Sequence, residues 1–224
     1  MPPNDRARSF QVAITSTYDR DTPLTDTPCG RPHRTAEPSI SAESPLAEAP
    51  DCEDGDIADL WLKDARVVEL DVDRPEWLDL KFEDCDVSGV VATGYVVRRA
   101  EILRTRLRGV TLAKGQIDDS FLEGCSTDEL SFRFSRLRHV VFRDCDLSGA
   151  DFYNTTFEHV TMIDCDLQRA RFDAADVKCL AVQNCNLTGV HGVSGLKAAT
   201  LDASDLPAMA ISLASELGIA IRDQ

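Results

Sequence analysis

Large apolar residues recur at every fifth position from Leu62 to Leu187 without one insertion in the frame. The series opens Leu62, Val67, Val72, Trp77, Phe82, Val87 and Ala92, and continues through Leu107, Ile117, Leu137 and Phe152 to Val182 and Leu187. Of its 26 members only Ala92 and Thr127 are not large and apolar. Two residues before each stands a second, mostly small series: Ala65, Cys85, Ala100, Thr105, Cys125, Ser135, Cys145, Ala150 and onward to Cys185. The remaining three places of each pentad are largely polar or charged. A period of five fits neither the 3.6 of an α-helix nor the 2 of a flat strand. It fits a chain that turns a corner every five residues and points one large and one small side chain inward on each side.

The number of sides follows from which residues repeat. Cys85, Cys125, Cys145, Cys165 and Cys185 are 20 or 40 apart, with Thr105 in the vacant place, and Phe132, Phe152 and Phe172 are 20 apart. Gly89, Gly109, Gly149 and Gly189 keep the same interval with one gap. Like residues at that spacing are what stacked coils of four pentads would give. Coils pairing as strands do, about 4.8 Å apart, make a rod of about six and a half turns, on the order of 31 Å tall. The glycine column fits corners that need a positive φ. Pro75, Tyr95 and Gly115 occupy small-residue slots on one side, so irregular early coils are expected there.

The motifs Asp144-Cys145-Asp146-Leu147-Ser148-Gly149-Ala150-Asp151-Phe152 and Cys165-Asp166-Leu167-Gln168-Arg169-Ala170-Arg171-Phe172 resemble those of the pentapeptide-repeat family, whose consensus is Ala-(Asp/Asn)-Leu-x-x. The resemblance covers about residues 60–195. It implies an all-β fold, a right-handed quadrilateral β-helix, here over 55–195. It implies far less about function, because one fold carries many roles. Gyrase-protecting members of the family present an acidic rod to the DNA saddle of DNA gyrase, imitating DNA, and join two rods through a C-terminal helical segment. By resemblance, a DNA mimic giving quinolone tolerance and a homodimer are therefore both open readings.

The ends behave differently. Residues 1–54 hold eight of the ten prolines with no sustained periodicity, and are read as a disordered acidic tail. Short apolar patches such as Phe10 to Ile14 could dock on the domain or on a partner. Ile57, Leu60, Trp61 and Leu62 are expected to seal the first coil. After Gly195 the frame breaks, and residues 196–224 are read as a cap. Ser204 or Asp205 would N-cap a helix at about 205–217, with Pro207 in its first turn and Gly218 after its end. Its apolar positions Leu206, Met209, Leu213 and Leu217 would cover the last coil or form a dimer seam, with Ala210, Ile211 and Ala214 widening the surface.

Charge narrows the partners. The chain carries 39 acidic and 24 basic residues, a net charge of −15, which argues against direct binding to nucleic acid or an anionic membrane. Residues 60–195 hold 23 acids and 17 bases, hence −6. No apolar run approaches the length of a membrane span, and Met1 to Phe10 lacks a secretory signal, so a cytoplasmic protein with reduced thiols is expected. Asp84, Asp86, Asp144, Asp146, Asp164 and Asp166 flank the cysteine column as an acidic ridge, with Asn184 and Asn186 completing it. Arg98, Arg99, Arg104, Arg106 and Arg108, then Arg133, Arg136, Arg138 and Arg143, form a basic girdle.

Nothing resembles an active site. There is no phosphate loop, nucleophile elbow or metal-type pairing of cysteines, and no cofactor is expected. His139, His159 and Cys179 share one outward position on three successive coils, with Asp119 on the coil below. Imidazole and thiolate in a file suit a soft divalent ion, which leaves a metal-binding protein as a further alternative. The reading is a non-enzymatic scaffold whose outer faces bind a protein partner.

Overall fold

The computed structural model describes residues 56–220 apart from Glu69. The 1–54 tail expected to be disordered lies outside the described residues, as do the last four residues of the cap. From Asp56 upward the chain winds into stacked parallel coils, about seven turns in all. The register is 20 throughout: Ile57 lies against Trp77, Leu62 against Phe82, Val67 against Val87 and Val72 against Ala92. It still holds near the top, where Val160 pairs with Leu180 and Arg171 bridges His191. Four walls result. The first carries Trp77, the second Phe82, the third Val87 and the fourth Ala92 as inward residues. Gln116–Glu123 and Arg136–Arg143 run straight around the corner between the first two walls, which joins those walls into one 13-stranded sheet.

The frame read from the sequence is the interior. Of the 26 large positions all but Val72, Phe82, Ile102 and Val177 are fully buried. Phe132, Phe152 and Phe172 stack with ring centroids 5.6 and 5.2 Å apart. Cys85, Cys125, Cys145, Cys165 and Cys185 are buried free thiols in one vertical file. The Cys165 N–H reaches Cys185 Sγ at 3.4 Å, and Thr105 fills the vacant place, its Oγ1 accepting from the Cys85 N–H at 3.4 Å.

The early coils are not irregular where the odd slots fall. Tyr95 is 1% exposed in its small-residue slot, and the residue one coil above is Gly115. A Cβ there would lie 2.4 Å from the Tyr95 ring, so the missing side chain makes room for the oversized one.

Corners need more than glycine. Gly89, Gly109, Gly149 and Gly189 have positive φ as expected, but so do Asp84 (53°), His139 (52°), Phe134 (57°) and Arg169 (57°) in the same place. The cause is the stack. Corner N–H groups donate to a carbonyl 19 residues on, as Asp84 does to Leu103 and Asp144 to Ile163, both at 3.0 Å. That tie imposes the left-handed backbone on residues that would avoid it by about 1–2 kcal/mol.

In the upper coils the third and fourth walls close differently. Ala150 N–H returns to Leu147 O at 3.1 Å and Ala170 N–H to Leu167 O at 3.0 Å. The residue before each large one then shapes the turn through its side chain. Asp146 Oδ1 accepts from Ser148 N–H at 3.0 Å and Asp166 Oδ1 from Gln168 N–H at 2.9 Å. This is the local hydrogen bond for which Asp and Asn are favoured in turns.

The top of the rod breaks register by one residue, with Ala181 against Thr200 and Val182 against Leu201. The helix follows as Leu206–Glu216. Asp205 precedes it, yet its side chain makes no capping bond to the helix. Instead the carboxylate is 7% exposed and accepts from the Cys185 N–H at 3.1 Å. It stands where the next coil's small residue would be, so the expected N-cap belongs to the rod.

Candidate functional site

The acidic ridge exists, but it is two patches of different character. Its lower members are neutralised from the coil above. Arg104 Nε donates to Asp84 Oδ1 at 2.8 Å while its Nη2 reaches Glu83 Oε1 at 2.7 Å. Arg106 lies 3.6 Å from Asp86. The Arg104 hydrogen bond holds the Asp84 carboxyl below its ordinary range. Asp144, Asp146 and Asp164 are exposed, Asp166 is half-buried, and among the described residues no Lys or Arg pairs with any of them. Asn184 Nδ2 donates to Asp164 Oδ1 at 2.6 Å, so the neutral member of the column steadies the charged one beneath it. The upper four carboxylates form the candidate site.

The girdle is explained by the same rule. Arg99 bonds Asp79 on the coil below, and Arg98 and Arg138 approach Asp118 from either side at 3.9 and 3.0 Å. Arg136 reaches Glu158 at 2.7 Å and Arg133 reaches Asp151 at 2.8 Å. Opposite charges about 20 residues apart are legible in the sequence, where the ridge and the girdle stand as separate bands. Stacking makes them one set of ladders.

The possible metal file is a stack of rings. His139 and His159 lie 5.1 Å apart between centroids, and His139 Nδ1 is 3.1 Å from Asp119 Oδ1. Cys179 is disulfide-bonded, so it offers no thiolate to the file. Among the described residues no group of three or more His, Cys, Asp or Glu could hold a metal ion. The buried cysteine file is equally quiet. Hydrogen bonding between neighbouring thiols, with burial, pushes Cys145 and Cys165 up to about 12, so both stay protonated and act as small apolar side chains.

The C-terminal helix has no buried residue. Met209 and Ala208 pack partly on the core, while Leu206, Leu213 and Leu217 are 46%, 38% and 66% exposed and Ile211 is 65% exposed. Glu216 fastens its far end, accepting from Ser194 Oγ at 2.6 Å. No helix among the described residues is long and apolar enough to cross a membrane.

Residues 104–172 and 135–207 match the family model described as Pentapeptide repeat region. No curated protein matches the sequence. Among solved structures, the trypsin-treated QnrB1, a plasmid-mediated fluoroquinolone resistance protein, is 17% identical, with 73% of this chain and 98% of that one covered and a TM-score of 0.32. HetL from the cyanobacterium Nostoc sp. strain PCC 7120, a pentapeptide repeat protein involved in heterocyst differentiation regulation, is 13% identical, with 65% and 84% covered and a TM-score of 0.24.

Proposed function

The chain is a pentapeptide-repeat protein, and from that premise we propose that it is a non-enzymatic scaffold whose upper acidic patch captures a basic protein surface. One observation carries this reading. Asp144, Asp146, Asp164 and Asp166 sit on two adjacent coils without a Lys or Arg partner among the described residues, whereas the lower ridge is neutralised by Arg104 and Arg106. A fixed cluster of carboxylates steers encounter with a basic partner and loses hold as salt rises. The exposed apolar residues Leu206, Leu213 and Leu217 supply a seam through which two rods would join.

The sharper reading is a DNA mimic acting on DNA gyrase, and the same four carboxylates on a narrow rod favour it. The test is a supercoiling assay with and without a quinolone. Protection by the wild type that is lost in the Asp144, Asp146, Asp164 and Asp166→Asn protein, but kept in the Asp84 and Asp86→Asn protein, is the expected result. Equal behaviour of both variants removes the upper patch as the binding element.

A further inference from the structure

The corner between the fourth and first walls carries one side chain that the corner itself does not call for. Among the described non-glycine residues with a left-handed backbone, Phe134 (φ 57°) is the one that is both large and apolar. A bulky residue is an outlier in that region, and its ring, 45% exposed, gains no core burial in return. A strained backbone kept without a packing gain points to binding.

The ring is nonetheless held in place. Tyr153, one coil above, meets it edge to face with centroids 5.4 Å apart. The Arg133 guanidinium lies 4.6 Å from the Tyr153 centroid and 5.7 Å from that of Phe134, and its Nη1 donates to Asp151 Oδ2 at 2.8 Å. Tyrosine and arginine are enriched among the residues that dominate protein interfaces, and side chains fixed in advance lose little freedom on docking.

Charge along the same corner identifies the surface that fits it. The corner stacks directly: Lys114 N–H donates to Arg133 O at 3.0 Å, Phe134 N–H to Tyr153 O at 3.0 Å and Asn154 N–H to Asp173 O at 2.9 Å. One coil below Phe134, Lys114 is exposed and has no acidic partner among the described residues. One coil above Tyr153 stand Asp173 and Asp176, 38% and 57% exposed and paired only with the exposed Arg171 and Lys178. The base and the two acids are therefore equally far from the midpoint between the Phe134 and Tyr153 coils. A two-fold axis through that midpoint, perpendicular to the rod, lays Phe134 of one copy against Tyr153 and Asn154 of another, and Lys114 against Asp173 and Asp176. An axis along the rod would set lysine on lysine and acid on acid, so charge selects the antiparallel arrangement.

We propose that this corner is a self-association edge on which a second copy of the chain docks antiparallel, with Phe134 and Tyr153 at its centre and Lys114 facing Asp173 and Asp176 at either end. The contact is isologous, the same patch on both copies. It is separate from the C-terminal helix and independent of the acidic patch. Four coils along one corner span about 14 Å, so the interface belongs to the small, weak class.

Sedimentation equilibrium on full-length protein carrying Leu213→Asp and Leu217→Asp, which disables the helix seam, tests the edge by itself. Circular dichroism checks that the solenoid persists in every variant. A concentration-dependent dimer is expected, weakened about 10-fold or more by Phe134→Asn, by Lys114→Glu, or by Asp173→Lys with Asp176→Lys, as for like charges brought face to face. Asparagine is at home at a left-handed corner, so Phe134→Asn leaves the fold intact. Mixing the Lys114→Glu protein with the Asp173→Lys, Asp176→Lys protein should restore association, because each then offers the charge the other lacks at both ends. A protein that stays monomeric at millimolar concentration overturns the proposal, as does a dimer indifferent to Phe134→Asn. Failure of the mixture to recover overturns the antiparallel pairing.

Discussion

Gly115→Ala tests how an oversized residue is held in the repeat. The Gly115 φ is in the ordinary range, and an added Cβ would stand 2.4 Å from both the Tyr95 ring and the Tyr95 carbonyl oxygen. The penalty is therefore steric and not conformational. Overpacking of this kind costs about 1–3 kcal/mol, a fall of roughly 1 M in the urea midpoint for an ordinary slope. Tyr95→Ala alone empties a slot that is 1% exposed and costs about 3–5 kcal/mol, as for other large buried aromatics. With the ring gone, Gly115→Ala clashes only with the carbonyl, so the double variant is more stable than the sum of the two losses predicts. A coupling of about 1 kcal/mol or more is expected from residues in such contact. Urea unfolding of the four proteins, followed by circular dichroism, gives the cycle. Additivity within about 0.5 kcal/mol would show that Gly115 does not make room for Tyr95.

Two further outcomes follow from the rod's end and its ladders. Asp205→Ala removes the acceptor for the Cys185 N–H, so that amide should exchange faster with deuterium and the fold lose about 1.5–3 kcal/mol, the range for a charge-assisted bond. Ser204→Ala should change neither, and the reverse pattern would take the closing role away from Asp205. The Asp79 and Asp84 carboxyls are held below the ordinary carboxylate range, chiefly by hydrogen bonds from Arg99 and Arg104. A depressed carboxylate contributes stability that is complete above its unfolded value and is lost as pH falls through the folded one. Asp84→Asn should thus lower stability near neutrality by about 0.2–1 kcal/mol, as for a solvent-screened pair, and the gap should close in strong acid. A gap that widens on acidification contradicts the assignment.

The two sources of information divide cleanly at particular residues. The interval between cysteines and between phenylalanines was enough to define four walls, because burial selects size at each inward place and a stacked coil repeats that selection every turn. It could not say that Tyr95 fits, since that depended on Gly115 above it, nor that Asp146 is shaping a turn while Asp84 is held by Arg104. The glycine column pointed to the corners and understated them, because cross-coil hydrogen bonds impose a positive φ on histidine and arginine alike.

Period alone, then, determined the coil, its interior and the place where the frame fails at Gly195. Which acids keep their charge unpaired, and that Asp205 closes the rod while the helix leaves its leucines outside, were decided by tertiary structure. The reason is that burial of a regular frame is a property of each position taken singly. Neutralisation and capping are properties of pairs, and those pairs meet only when one coil has been laid upon another.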